Sequence, residues 1–245
     1  MATQIPAVLA DAQIQLIFSA QVKNVRDLNS SWVHLLRTIN RDLVSGNQTS
    51  LKTHTQLLGL LYCSWAESAF LKLIHTPRGF DGSTIRQIQQ HKKDNGIAEA
   101  WKKCLELGIM RVPAAKAAGD LANIRQSLTR LVVTYIEGPA LLRNKMAHGQ
   151  WVVALNRENT AINSDLSRKI GELDVVQLSV MKNATEVLMN CIELLIQSPS
   201  KHFRSSIWEI VSRHDEQMLE QSKWTLEGKI SQLKSRKPLS RSVGY

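Results

Sequence analysis

Cysteine is scarce in this chain, and the three that occur, Cys63, Cys104 and Cys191, lie far apart. An odd number of isolated cysteines among apolar neighbours does not form a disulfide framework, and no pair has the short spacing of zinc ligands. We therefore expect reduced core thiols, a cytoplasmic protein and no metal site.

The signatures of several large enzyme classes are also missing. The chain has no Gly-x-Ser-x-Gly elbow, no glycine-rich phosphate loop ending in Lys-Ser or Lys-Thr, and no Gly-x-Gly-x-x-Gly after a strand. No basic region followed by a long apolar run opens the sequence, and we expect no stretch that is long and apolar enough to span a membrane. We accordingly expect no cofactor and no membrane partner.

Positive charge is what the sequence has in excess. Its 245 residues include 31 Lys and Arg against 21 Asp and Glu, which gives a formal charge of +10. The excess favours polyanions such as nucleic acid as partners, although many basic proteins have no such role. The basic residues 89–93 are predicted to be exposed, either as a solvated surface or as an RNA contact.

Apolar residues recur at intervals of three and four along most of the chain, which predicts helices. The predicted segments cover residues 7–44, 51–75, 84–93, 101–109, 121–135, 139–148, 174–197, 203–221 and 224–234. The segment 51–75 is apolar nearly all round, which is typical of a central helix. The fold is therefore predicted to be an all-α helical bundle.

From residue 151 the apolar residues recur at every second position instead of at every third or fourth. Trp151, Val153 and Leu155 alternate with the residues between them, which predicts a small β-hairpin near residues 151–162. Trp151 is expected either to stack on a nucleobase or to pack against the bundle. We assign residues 1–200 to one helical domain that includes this hairpin, residues 201–235 to a C-terminal helical extension, and residues 236–245 to a disordered tail.

One short helix carries the residues that we single out as a candidate site. Pro139 suits the first turn of a helix, and Gly149 suits the left-handed residue that ends one. Asn144 and His148 are four residues apart and share a face, and Arg143 can reach the same place through its length. A guanidinium, an amide and an imidazole at one helix end form a plausible phosphate site.

The pattern Arg143-Asn144-x-x-x-His148 resembles the signature of the HEPN superfamily, an Arg and a His separated by a short spacer, often with Asn directly after the Arg. The resemblance implies a helical bundle and metal-independent RNA cleavage, in which the ribose 2′-OH attacks the adjacent phosphate and leaves cyclic phosphate and 5′-OH ends. It also implies that His148 is the general acid or base, that Arg143 neutralises the phosphate, and that Asn144 orients His148 or binds the phosphate.

Two further residues are predicted to support this site. Glu67 shares the apolar face of the central helix, so its carboxylate is expected either to pair with Arg143, as an acidic residue on an earlier helix does in HEPN bundles, or to reach solvent at the edge of that face. Lys145 is expected to add a weaker phosphate contact.

The resemblance implies RNA as a partner, a homodimer with a composite site, and a role as a toxin or antiviral defence effector restrained by an antitoxin or another partner protein. Two alternatives stay open. Arg143 could simply pair with Glu67 while His148 caps the helix, which would leave an inactive HEPN scaffold or a nucleic-acid- or protein-binding subunit of a defence complex. The chain could also be a basic adaptor that binds through residues 224–234.

Overall fold

The computed structural model describes residues 9–113, 120–199, 203–221 and 223–235, and the predicted tail 236–245 lies outside them. Helices account for most of the described chain, which confirms the all-α prediction. They are α1 (Asp11–Ser45), α2 (Gln48–Ile74), α3 (Gly82–Asn95), α4 (Ile97–Met110), α5 (Asp120–Val132), α6 (Gly138–Ala147), α7 (Ser164–Glu172), α8 (Val175–Gln197), α9 (Phe203–Gln221) and α10 (Leu226–Ser235).

Helix α2 is the centre of the bundle, as its composition predicts. It packs against α1, α6 and α8 and buries large side chains such as Tyr62, Trp65 and Phe70. Its length and mean hydropathy would also allow it to cross a membrane, so the prediction that no segment has these properties was wrong. Because 56% of its most apolar window is buried within the protein, packing in the bundle accounts for that composition.

Helices α5 and α6 are joined without a loop by a π-helical turn, Val133–Glu137. The sequence predicts a break or kink at Gly138 and Pro139, and the irregular turn lies directly before them. Pro139 has no N–H to donate to the carbonyl of Tyr135, four residues earlier. The buried hydroxyl of Tyr62 on α2 donates to that carbonyl instead, so the central helix supports the start of α6.

The predicted hairpin near residues 151–162 is not formed. Within the described chain the segment has only one isolated antiparallel bridge, between Leu155 and Ile162. Two backbone hydrogen bonds flank this bridge, from the Asn156 N–H to the Ala161 carbonyl at 2.8 Å and from the Asn163 N–H to the Ala154 carbonyl at 2.7 Å. The pairing goes no further, because the Ala154 N–H donates to the Ser167 hydroxyl at 2.9 Å. The segment is therefore a loop.

Helix α7 follows this loop and was not predicted. Its nine residues contain one apolar pair at four-residue spacing, Leu166 and Ile170, which is too short a repeat to predict a helix from the sequence. Asn163 begins the helix by accepting from the Leu166 N–H at 3.0 Å.

The two C-terminal helices pack on the same bundle. Helix α9 buries Ile207 and Val211 in the main core, and α10 lies against α1 and α8. The division of the chain at residue 200 stays a prediction.

Candidate functional site

Helix α6, which carries the motif, is anchored by a small apolar cluster. Leu142 and Met146 are buried with Ala154 of the following loop and Ile170 of α7. The four-residue spacing of Leu142 and Met146 predicts this inward face, and the structure confirms it. The opposite face of α6 is left on the surface.

The C-terminal end of α6 is fixed by backbone hydrogen bonds. Gly149 has a φ of 78°, in the left-handed region that favours glycine, and its N–H donates to the Met146 carbonyl at 3.1 Å. The Gln150 N–H donates to the Lys145 carbonyl at 3.0 Å, which completes a Schellman motif. His148 is the residue just before Gly149, and its side chain is exposed.

Arg143 pairs with Glu67 across the interface of α6 and α2. The guanidinium Nη2 lies 3.2 Å from Glu67 Oε2, which confirms the first of the two arrangements predicted for Glu67. The pair is only half-buried, with 38% of the Arg143 side chain and 34% of the Glu67 side chain exposed. Such a pair contributes about 0.2–1 kcal/mol to stability, so its main effect is to orient the guanidinium.

Lys92 of α3 is a second cation on the same carboxylate. Its Nζ lies 3.7 Å from Glu67 Oε1, the oxygen that Arg143 does not contact. The sequence marks Lys92 only as part of an exposed basic run and gives no sign of this contact. Glu67 is thus held from two sides, by α6 and by α3.

Lys145 and Trp151 attach the loop after the motif to α6. Lys145 Nζ donates to the Asn156 carbonyl at 3.2 Å, and the Trp151 indole N–H donates to the Met146 carbonyl at 2.8 Å. Gln56 of α2 donates to the Trp151 carbonyl at 2.7 Å. Trp151 therefore packs on the bundle. One N–H of the Lys145 ammonium is used in the loop, and its predicted phosphate contact stays a prediction.

Asn144 and His148 lie on the surface of the protein. Both side chains are exposed, and neither has a hydrogen bond to any other residue in the described part of the chain. The structure therefore brings Arg143 and Glu67 together, and leaves an amide and an imidazole free on the surface at the end of the same helix.

The cavity beside Arg143 is too small for a nucleotide. It lies between α2 and α6, has a volume of about 30 Å³, and could hold roughly one water molecule. Burial raises the pKa of its Cys63 thiol to about 12, with Arg143 opposing and Glu67 adding to the shift. The thiol is therefore protonated and is no nucleophile near neutral pH. A nucleotide substrate would have to bind on the outer surface.

Among the described residues, no group of three or more His, Cys, Asp or Glu side chains is arranged to hold a metal ion. Comparison of the chain with protein-family models, curated protein sequences and solved structures gives no match.

Proposed function

We propose that this protein is a HEPN-like, metal-independent endoribonuclease. The supporting observation is the end of α6, where Asn144 and His148 are exposed and Arg143 is oriented by Glu67 at 3.2 Å. A cation, a hydrogen-bonding amide and a group that moves protons near neutral pH are then available to a phosphodiester on the surface.

In the proposed reaction the ribose 2′-oxygen attacks the adjacent phosphorus, and the bond from phosphorus to the 5′-oxygen breaks. A base takes the proton of the 2′-OH, and an acid gives a proton to the departing 5′-oxygen. His148 has one of these roles, and His148 of a second subunit has the other. General acid–base catalysis of this kind contributes typically ~10²–10⁴-fold to the rate.

Arg143 neutralises the charge that develops on the phosphate oxygens. The structure gives it one hydrogen bond to Glu67, and a guanidinium carries five N–H donors, so it can hold the carboxylate and a phosphate together. Asn144 binds the phosphate or orients His148, and Lys145 adds a weaker contact. Glu67 fixes the direction of the guanidinium.

The proposed setting is the cytoplasm, with the protein acting as a toxin or antiviral defence effector. A free ribonuclease of this kind would harm its host, so an antitoxin or another partner protein is expected to restrain it. The proposed active form is a homodimer in which two motifs face one cleft.

Cleavage of a labelled single-stranded RNA in EDTA tests this proposal. The wild type should give cyclic phosphate and 5′-OH ends, and His148→Ala should give none while its circular dichroism spectrum is unchanged. His34→Ala is the matched control, because His34 is equally a surface histidine of a helix but lies on α1.

The alternative is an inactive scaffold or binding subunit of a defence complex. It is favoured by one observation: no hydrogen bond within the described chain connects His148 to Arg143 or Glu67. RNA left intact by the wild type across single-stranded and duplex substrates, at concentrations where the dimer is present, would support this alternative.

A further inference from the structure

A second cationic feature lies away from the motif, on the outer side of α1. An open groove of about 660 Å³ runs along this helix and reaches the last turn of α2. Arg26 and Arg37 of α1 and Lys72 of α2 line it, and none of its described lining residues is acidic.

These three cations are not neutralised by the protein. Within the described chain none of them forms an ion pair, and Lys72 contacts only an aromatic ring, with its Nζ 6.0 Å from the centroid of Phe18. Arg130, Arg168 and Arg213, elsewhere on the surface, are each paired with a carboxylate. Unpaired charges of one sign in a groove produce a local potential that attracts anions.

The lining of the groove indicates which anion fits. Three valines line the groove, and Val33 is the one of them that is strongly exposed, at 45%. The described residues that line the groove include no aromatic ring on which a base could stack. Guanidinium groups bind phosphate oxygens in pairs of hydrogen bonds, and about 16 Å of helix axis separate Arg26 from Arg37 at a rise of 1.5 Å per residue. A chain of phosphates that extends along α1 fits the three cations, the distance between the two arginines and a described lining without aromatic rings.

The groove and the motif lie on different sides of α2. Lys72 follows Glu67 by five residues, which places it about 140° away around the helix at roughly 100° per residue. A ligand in the groove therefore does not cover Arg143 or His148.

We propose that this groove is an exosite for the sugar–phosphate backbone of RNA. It binds without regard to base sequence and raises the affinity for long RNA over short RNA. The identity of the polyanion as RNA rests on the proposed function, whereas the existence of the anion site rests on the groove itself.

Fluorescence anisotropy with a labelled 2′-O-methyl oligonucleotide, which lacks the attacking hydroxyl, tests the exosite without turnover. The variant Arg26→Ala/Arg37→Ala/Lys72→Ala is compared with Arg130→Ala/Arg168→Ala/Arg213→Ala, whose three arginines are exposed and ion-paired. Both variants lower the formal charge of +10 by three. The groove variant should raise Kd by about tenfold or more. It should also reduce the slope of log Kd against the logarithm of the salt concentration by about 2, since each phosphate contact on a single strand contributes about 0.7 to that slope.

The control variant should change Kd much less. A dinucleotide is too short to reach the groove, so the groove variant and the wild type should cleave it at the same rate. Equal weakening by both variants would overturn the exosite, because net charge alone would then explain binding. Displacement of the oligonucleotide by polyglutamate at equal charge would also overturn it, in favour of an acidic protein. If the groove variant weakens binding but no form cleaves either the dinucleotide or the longer single-stranded RNA, the exosite stands and the proposed function fails.

Discussion

The hydroxyl of Tyr62 offers a direct test of how the bundle supports the motif helix. Tyr62 is 1% exposed, and its hydroxyl donates to the carbonyl of Tyr135 in the π-helical turn and lies 2.7 Å from Thr185 Oγ1. Burial raises the pKa of this phenol, so the donor stays protonated. The substitution Tyr62→Phe removes the hydroxyl and keeps the ring.

The expected cost follows from the partners that remain. The Tyr135 carbonyl loses its side-chain donor, and Pro139 has no N–H to replace it. Thr185 keeps a hydrogen bond to the Met181 carbonyl at 2.9 Å. One weakly satisfied buried carbonyl costs about 1–3 kcal/mol, so we expect the free energy of unfolding to fall by about 2 kcal/mol. For a protein of this size that corresponds to a Tm lower by roughly 4–8 °C.

Urea unfolding followed by circular dichroism measures this change, and the slope m should be the same as in the wild type. Tyr135→Phe is the matched control, because within the described chain that hydroxyl hydrogen-bonds only to the Met218 sulfur, at 3.4 Å, and sulfur is a weak acceptor. We expect it to cost less than about 0.5 kcal/mol. Equal losses in the two variants would refute the special role assigned to the Tyr62 hydroxyl.

Three further changes test the helix end, the buried histidines and the ion pair. Gly149→Ala should destabilise the protein by about 1 kcal/mol, because the φ of this residue is 78°. Gly138 is in helical conformation with open space around it, so Gly138→Ala should stabilise the protein by a few tenths to about 1 kcal/mol. Thermal unfolding distinguishes the two variants. Burial lowers the pKa of His75 and His214, so the unfolded state binds more protons below about pH 6.5. Stability is therefore complete above that pH and falls as the pH drops towards the folded-state pKa values, and His75→Gln/His214→Gln should flatten the plot of Tm against pH. Glu67→Gln should lower the free energy of unfolding by less than about 1 kcal/mol. It should reduce RNA cleavage about tenfold, because Arg143 would no longer be held in the right direction. Cleavage at the wild-type rate would contradict the role of Glu67 in orienting Arg143.

The helices could be predicted from the sequence because their signals are local. The apolar spacing of α2 and α8 gives their extents to within a few residues, and the chemistry of Pro139 and Gly149 gives both ends of α6. The loop at 151–162 could not be predicted in the same way. Its alternating residues match a hairpin, but its backbone groups bond to side chains of Gln56 and Ser167, which are distant in sequence.

The candidate site likewise depends on contacts between residues that are distant in sequence. The cost of leaving a charge unpaired beside an apolar face predicts that Glu67 either pairs with Arg143 or reaches solvent, and the arrangement of α2 and α6 decides between the two. The approach of Lys92 also needs that knowledge, since the loop between α2 and α3 determines where α3 lies against α2. The outward direction of His148 likewise depends on which face of α6 the apolar cluster buries.

These constraints limit where a phosphodiester can meet the motif. The cavity beside Arg143 is about 30 Å³, so in the proposed reaction a scissile phosphate would have to reach the guanidinium from the surface. At the surface, each motif offers one imidazole, whereas the proposed transfer needs a base at the 2′-oxygen and an acid at the 5′-oxygen. In the proposed mechanism one chain would supply the charge and half of the proton transfer, and the other half would come from a second His148 that approaches from outside.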